Sequence, residues 1–157
     1  MAKERKVRYT GGCQCGAVRF ALYGEPFNPH VCHCRMCQKA SGGAFMPFAS
    51  VNLESFAWAH GAPAVFKSSL AVERGYCRDC GTPLSYRNIE NAWISIAIGS
   101  FDDPEQAAPA IQLGVESRLS WFSKLHALPE VITEAGFKSG DHRKYASRQH
   151  PDFEPEV

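Results

Sequence analysis

Apolar and polar residues alternate along two short segments near the start of the chain, which predicts two β-strands. In the first segment Val7 and Tyr9 alternate with charged residues, and the segment 18–22 continues the same pattern. A period of two is typical of strands that bury one face. Gly11 and Gly12 separate the segments and predict a turn between them.

Seven further segments combine apolar, aromatic and β-branched residues and predict additional strands. They are 44–51, 55–59, 64–67, 72–76, 84–87, 93–98 and 110–115. The segment 93–98 is apolar at nearly every position, which favours a strand covered on both faces. Helical patterns are few and short, and we expect helices only at 34–40 and 117–125. The pattern therefore predicts a mainly β fold with few short helices.

The length of 157 residues suits one domain with a real core, which we place at 1–137, followed by a polar tail at 138–157. No apolar run approaches the roughly 18 residues of a membrane span, so we expect no membrane partner. The charged start of the chain leads into no apolar run, so we expect no secretory signal and a cytoplasmic location. A formal net charge of +1 argues against a strongly basic nucleic-acid surface.

Seven cysteines add candidate chemistry to this picture, because they fall in three closely spaced clusters. The clusters are Cys13 and Cys15, then Cys32, Cys34 and Cys37, then Cys77 and Cys80. An odd number excludes a complete set of intrachain disulfides. In a reducing compartment such clusters are more often metal-binding or catalytic than disulfide-bonded. Redox chemistry and plain core packing are the alternatives, but packing gives no reason for the repeated short spacings.

The number of cysteines in each cluster predicts two different zinc sites. The two pairs together supply four thiolates, the number that closes a tetrahedral structural site. The triplet supplies three, which leaves one position for water or substrate, as in catalytic zinc sites. In an extended segment, residues two apart face the same side, so Cys32 and Cys34 can bind one ion while His33 points away. We therefore expect two zinc ions per chain.

Six segments in order resemble the family of glutathione-dependent formaldehyde-activating enzymes, which also includes centromere protein V. They are 12–20, 32–42, 68–69, 77–84, 99–104 and 117–122, and together they span roughly residues 9 to 130. Each short cysteine motif is weak alone, whereas the ordered combination is highly specific. The resemblance implies a compact zinc-stabilised β-tent, built from small coiled antiparallel sheets.

The resemblance also implies an activity and assigns roles to the cysteines. Cys13, Cys15, Cys77 and Cys80 match the structural zinc ligands, and Cys32, Cys34 and Cys37 match the ligands of the catalytic zinc. The implied reaction is that of a carbon–sulfur lyase, which makes or splits a thiol–aldehyde adduct such as S-hydroxymethylglutathione. The implied partners are a small thiol such as glutathione and an aldehyde such as formaldehyde.

General chemistry is consistent with such a reaction at the triplet. Three thiolates make zinc a soft ion that suits a fourth thiolate ligand, here the substrate thiol. A non-catalytic zinc-binding interaction module is the alternative function. Such a module needs only closed sites, so a protein ligand such as His30 or His126 would complete the triplet.

Several polar residues are candidates for substrate binding. His33 and Arg35 lie between the cysteines of the triplet and are suited to proton transfer or to holding a substrate carboxylate, although His33 equally suits a backbone hydrogen bond. Ser41 and Gly42 can present backbone amides, but turn formation alone explains them. We interpret Ser117 and Trp121 as parts of a family motif near the site, with a core position as the alternative for Trp121. The segment 102–104 is interpreted as a turn or helix cap.

Overall fold

Two β-sheets of unequal size form the body of the protein in this computed structural model, which describes residues 5–136 and 143–152. The smaller sheet has three strands, in the order β1-β2-β5. Its strands are β1 (Tyr9–Gly12), β2 (Arg19–Leu22) and β5 (Phe56–His60). The larger sheet has seven strands, in the order β10-β3-β4-β9-β8-β7-β6.

The strands of the larger sheet are short, and one α-helix follows the second cysteine cluster. The strands are β3 (Phe27–Cys32), β4 (Met46–Asn52), β6 (Ala64–Lys67), β7 (Val72–Tyr76), β8 (Pro83–Asn88), β9 (Trp93–Ala97) and β10 (Ile111–Leu113). The helix α1 covers Arg35–Ser41. Neighbouring strands pair antiparallel, except that β10 pairs parallel to β3. The expected mainly β fold with few helices is confirmed.

The main core lies where β2 of the small sheet packs against β4 and β9 of the large one. Phe20 and Leu22 from β2 and Ile96 from β9 are at most 1% exposed. Ile94, Ser95, Ile96 and Ala97 are all buried, as expected for an apolar run with neighbouring strands on both sides. This shared core holds together the two sheets whose strands carry the cysteine clusters.

The structure differs from the sequence predictions in three elements. The turn predicted at Gly11 and Gly12 lies further along the chain, because both glycines belong to β1 and pair with Phe20 and Arg19 of β2. Strand β3 was not predicted, because Phe27–Cys32 contains a proline and lacks regular alternation. The helix predicted at 117–125 is replaced by two short 3-10 turns, Val115–Ser117 and Phe122–Ala127. Among the described residues no helix has the length and apolar character needed to cross a membrane.

Part of the predicted tail contacts the first cysteine loop. The backbone N–H of His150 donates to the backbone oxygen of Gln14 over 2.7 Å. The predicted tail residues 138–142 and 153–157 lie outside the described residues, as do residues 1–4 and 137 of the predicted domain. The segment 143–152 therefore runs back to the body of the protein.

A buried ion pair joins the small sheet to the segment after β9. The guanidinium of Arg19 donates two hydrogen bonds to the carboxylate of Asp102, over 2.9 and 2.6 Å. Both side chains are about nine-tenths buried, and Thr10 Oγ1 donates a further bond to Asp102. Burial alone would raise the pKa of Asp102, but the bonds from Arg19 and Thr10 and the Arg19 charge lower it below its usual value.

We expect Asp102→Ala to lower the free energy of unfolding by about 3–5 kcal/mol, because it leaves the Arg19 guanidinium buried without its counter-charge. Urea unfolding measures this change. Asp103→Ala is the matched control, since the neighbouring Asp103 is exposed, and it should change the free energy of unfolding by less than about 0.5 kcal/mol.

The stability that Asp102 contributes should depend on pH. Because the pKa of Asp102 is depressed in the folded protein, its contribution to the free energy of unfolding is fully present above the unfolded pKa. It is lost as the pH falls below about 4, through the folded pKa.

Candidate metal centres

The first and third cysteine clusters meet at two turns, although they are far apart in the chain. Cys13 and Cys15 directly follow β1, and Cys77 and Cys80 lie between β7 and β8. The glycine after each pair, Gly16 and Gly81, has a φ of +79°. A side chain at such a φ is strained, so glycine allows each turn to fold back on itself.

The geometry of this four-cysteine cluster fits one tetrahedral metal ion. The four Sγ atoms all lie within 4.8 Å of one another. Cys15 Sγ is 3.6 Å from Cys13 Sγ and 3.8 Å from Cys77 Sγ. A tetrahedron with metal–sulfur bonds of about 2.3 Å places its sulfurs about 3.8 Å apart, whereas a disulfide needs about 2.0 Å. All four cysteines are free, so the four sulfurs can act together as ligands.

Hydrogen bonds and burial shift the pKa values within the four-cysteine cluster in different directions. The backbone N–H of Ala17 acts to lower the pKa of Cys15, but the contact with Cys13 and burial raise it to about 12, and burial raises the pKa of Cys77. The backbone N–H of Val18 donates to Cys13 Sγ over 3.2 Å, and Thr82 Oγ1 lies 3.2 Å from Cys80 Sγ. Burial alone would raise the pKa of Cys80, but hydrogen bonds from Thr82 and neighbouring groups lower it to about 6. Thr82 also accepts the backbone N–H of Gln14, which ties the two cysteine turns together.

The second cluster forms a separate group of three sulfurs at the start of α1. Cys32 ends β3, Cys34 caps the helix and Cys37 lies in its first turn. Their Sγ atoms lie within 4.8 Å of one another, and no other Cys, His, Asp or Glu of the described residues belongs to the group. His30 instead has its Nδ1 atom 2.8 Å from the backbone oxygen of Asn28. Neither His30 nor His126 completes the triplet as the binding-module alternative requires.

Local contacts act on the triplet sulfurs in opposite directions. Burial raises the pKa of Cys37 to about 12, while a hydrogen bond from Arg74 acts to lower it. Burial also opposes ionisation of Cys34, but the backbone N–H of Cys37 and neighbouring hydrogen bonds lower its pKa overall. That N–H is 3.4 Å from Cys34 Sγ. A bound cation would supply the remaining stabilisation of the thiolates.

Arg74 is a residue of this site that the sequence reasoning missed. Its Nη2 atom donates to Cys37 Sγ over 3.5 Å, and its Nε atom donates to Ser68 Oγ over 3.1 Å. The guanidinium lies 5.0 Å from the ring centre of Tyr86. Arg74 lies in the predicted strand 72–76, three residues before Cys77. This position gives no indication that its side chain contacts Cys37 of the triplet.

His33 is fully buried on the side of the segment opposite to the sulfurs. Its Nε2 atom is 3.0 Å from Gln112 Oε1, and its ring packs edge-on against Phe122 with centres 4.7 Å apart. The side-chain amide of Gln38 donates to the backbone oxygens of His33 and Ser117, over 2.9 and 3.0 Å. The segment with Ser117 therefore supports the triplet loop from behind.

The other predicted substrate contacts lie around the ends of α1. Arg35 is exposed at its start, between Cys34 and Cys37. Gly42 is the left-handed cap at its end, where Ser41 Oγ bonds within the same turn. Trp121 is 48% exposed and so does not belong to the core. Substrate binding by Arg35, Ser41, Gly42, Ser117 and Trp121, and by the buried His33, stays a prediction.

The sequence of this chain is similar to those of known proteins. Residues 8–117 match the model of the family described as glutathione-dependent formaldehyde-activating enzyme. An uncharacterized lyase of Schizosaccharomyces pombe is 31% identical over 87 residues, which cover 54% of this chain and 63% of that protein. The match thus spans less than two thirds of the relative.

A solved structure gives an independent comparison of the fold. The crystal structure of a Rhodobacter sphaeroides protein aligns with a TM-score of 0.54 over 66% of this chain and 98% of that chain. The two are 17% identical, so this likeness concerns the fold alone. The family match covers most of the chain and includes all seven cysteines. The chain therefore belongs to the family of glutathione-dependent formaldehyde-activating enzymes.

Proposed function

We propose that this protein is a zinc-dependent carbon–sulfur lyase, which makes or splits the adduct between a small thiol, such as glutathione, and an aldehyde, such as formaldehyde. The principal support is the contrast between the two cysteine groups. One has four sulfurs and can close a tetrahedral site, whereas the other has three and no further protein ligand among the described residues. Each group is proposed to hold one zinc ion.

Zinc bound by the triplet would lower the pKa of a substrate thiol and hold it as a thiolate. In the forward reaction the substrate sulfur forms a bond to the aldehyde carbon, and the aldehyde oxygen gains the proton that the thiol loses. Splitting the adduct reverses both changes. The protein holds the three ligand sulfurs in position, because β3 and α1 fix Cys32, Cys34 and Cys37.

Arg74 is proposed to support this chemistry from the side of Cys37. Its N–H group donates to a ligand sulfur and offsets part of the negative charge on the three thiolates. Since Tyr86 and Ser68 fix the guanidinium, the charge is in place before substrate arrives. The free thiols at both sites need a reducing compartment, so we also propose a cytoplasmic location.

We expect the zinc-loaded protein to accelerate both formation and splitting of a thiol–aldehyde adduct. The measurement is the exchange rate between free and adduct signals in nuclear magnetic resonance spectra of glutathione and formaldehyde at equilibrium. Samples without protein set the spontaneous rate, and samples with an equal concentration of free zinc control for released metal. Exchange at the spontaneous rate, with the panel extended to other small thiols and aldehydes, would contradict the lyase proposal.

A further inference from the structure

The segment 111–118, which contains β10 and the 3-10 turn after it, packs against the loop that carries the triplet. The backbone N–H of His33 donates to the backbone oxygen of Leu113 over 2.8 Å. The side-chain amide of Gln38 joins the other end of the segment to the same loop, because it donates to the backbone oxygens of His33 and Ser117. Gln38 and Ser117 are 79 positions apart, so a distant part of the chain holds the backbone between the first two ligand cysteines.

Gly114 lies against the backbone of Cys34 and leaves no room for a side chain. A Cβ atom at this position would lie 2.7 Å from the backbone nitrogen of Cys34 and 3.0 Å from its Cβ. Both separations are well below the roughly 3.5–4.0 Å of a favourable contact between heavy atoms. The φ of Gly114 is +64°, which also favours glycine. A larger residue would therefore displace either Cys34 or the segment that packs against it.

The side chain of Gln112 fixes the orientation of the His33 ring. Its Oε1 atom lies 3.0 Å from His33 Nε2 and accepts a hydrogen bond from Arg118 Nη1 over 3.3 Å. An amide oxygen only accepts hydrogen bonds, so His33 carries its proton on Nε2. The Nδ1 atom of His33 is buried and has no hydrogen-bond partner among the described residues. Loss of the bond to Gln112 would leave both nitrogens of a fully buried ring unpaired, which is costly.

We propose that Gln112 and Gly114 are positioning residues for the metal at the triplet. The inference rests on the proposed function, because it assumes that the triplet holds a zinc ion. Cys32 ends β3 and Cys37 lies within α1, whereas Cys34 lies in the short connection between these elements. The contacts of this connection with Gln112 and Gly114 therefore determine where the sulfur of Cys34 lies relative to the other two sulfurs.

The test compares Gly114→Ala and Gln112→Leu with the unaltered full chain. One measurement is the dissociation constant of the second zinc ion, obtained by competition with a coloured chelator. The other is the absorption spectrum of the cobalt-substituted protein, whose bands depend on the geometry of the ligands. Gln112→Glu keeps an acceptor oxygen and should rescue the site. Gly42→Ala controls for backbone strain, since Gly42 has a φ of +69° and nothing lies within 4 Å of an added Cβ.

We expect Gly114→Ala and Gln112→Leu each to raise the dissociation constant of the second zinc ion at least about tenfold, because removing the partners of metal ligands typically costs about 10–100-fold. The cobalt bands of the triplet should shift in both variants. Gln112→Glu and Gly42→Ala should change the constant less than about twofold, well below that range. The closed site, observed alone in a Cys34→Ser background, should keep its bands.

Unchanged affinity and bands in either variant would overturn the positioning role of that residue and leave the lyase proposal in place. An equal loss in Gly42→Ala would assign the effect of Gly114→Ala to strain, and an equal loss in Gln112→Glu would overturn the role of the hydrogen bond. If urea unfolding shows that Gly114→Ala does not fold, the comparison of Gln112→Leu with Gln112→Glu decides alone. Binding of only one metal ion by the unaltered chain would overturn the lyase proposal and this inference with it.

Discussion

Replacing Cys80 with serine is expected to unfold most of the chain at room temperature. The closed four-sulfur site joins Cys15 to Cys77, which are 62 positions apart, so its ion also closes a long loop of the chain. Structural zinc contributes about 10 kcal/mol or more to small zinc domains. Single domains are stable by only about 5–15 kcal/mol, so losing this site removes most of the total.

The measurement for Cys80→Ser is urea unfolding followed by tryptophan fluorescence. Trp58 packs against the core cluster around Cys13 and Cys77, so its emission reports on this region directly. The matched control is Asp79→Asn, an exposed position in the same turn, which should shift stability by less than about 0.5 kcal/mol. A Cys80→Ser protein with nearly unaltered stability would contradict the structural role of the four-sulfur site.

Replacing Cys34 with serine is expected to abolish catalysis while leaving the fold in place. Its partners Cys32 and Cys37 are close in the chain, so the triplet ion closes no long loop and contributes far less to stability. The serine hydroxyl can also still cap α1, as Cys34 Sγ does. We expect one zinc ion per chain instead of two, and adduct exchange at the spontaneous rate.

Metal analysis and the exchange assay together measure the effect of Cys34→Ser. Ala59→Ser, on the exposed end of β5 and outside both cysteine groups, is the control for handling and surface change. It should retain two zinc ions and full exchange. If Cys34→Ser unfolded as readily as Cys80→Ser, the division into a structural and a catalytic site would be wrong.

The cysteine spacings and the strand patterns predicted the parts of this structure that depend on neighbouring residues. Strands β6 and β7 have the predicted bounds, and α1 is shifted by one residue from its predicted range. The counting of sulfurs gave the same two groups that the structure brings together. These features could be predicted because each depends on a short period or on a fixed ligand number.

The remaining features depend on contacts between distant segments, which no local pattern encodes. The segment 102–104 is predicted to be a turn or helix cap, and the bend before the 3-10 helix Pro104–Ala107 agrees with this. No local pattern indicates that Asp102 pairs with Arg19, 83 positions away. Strand β3 is held by β4 on one side and by the parallel β10 on the other. Arg74 reaches the triplet only because β7 lies beside α1 in the folded chain. The fold topology therefore places the Arg74 guanidinium beside the triplet.

The most direct test of the open site is thiol binding to the cobalt-substituted protein. Cobalt in thiolate sites absorbs light through sulfur-to-metal bands, so a further sulfur ligand changes the spectrum. We expect glutathione or 3-mercaptopropionate to strengthen and shift these bands in the unaltered protein. Cys34→Ser, which keeps only the closed site, should show no change. Unaltered bands in the presence of every thiol tested, with two cobalt ions bound per chain, would contradict an open metal site at Cys32, Cys34 and Cys37.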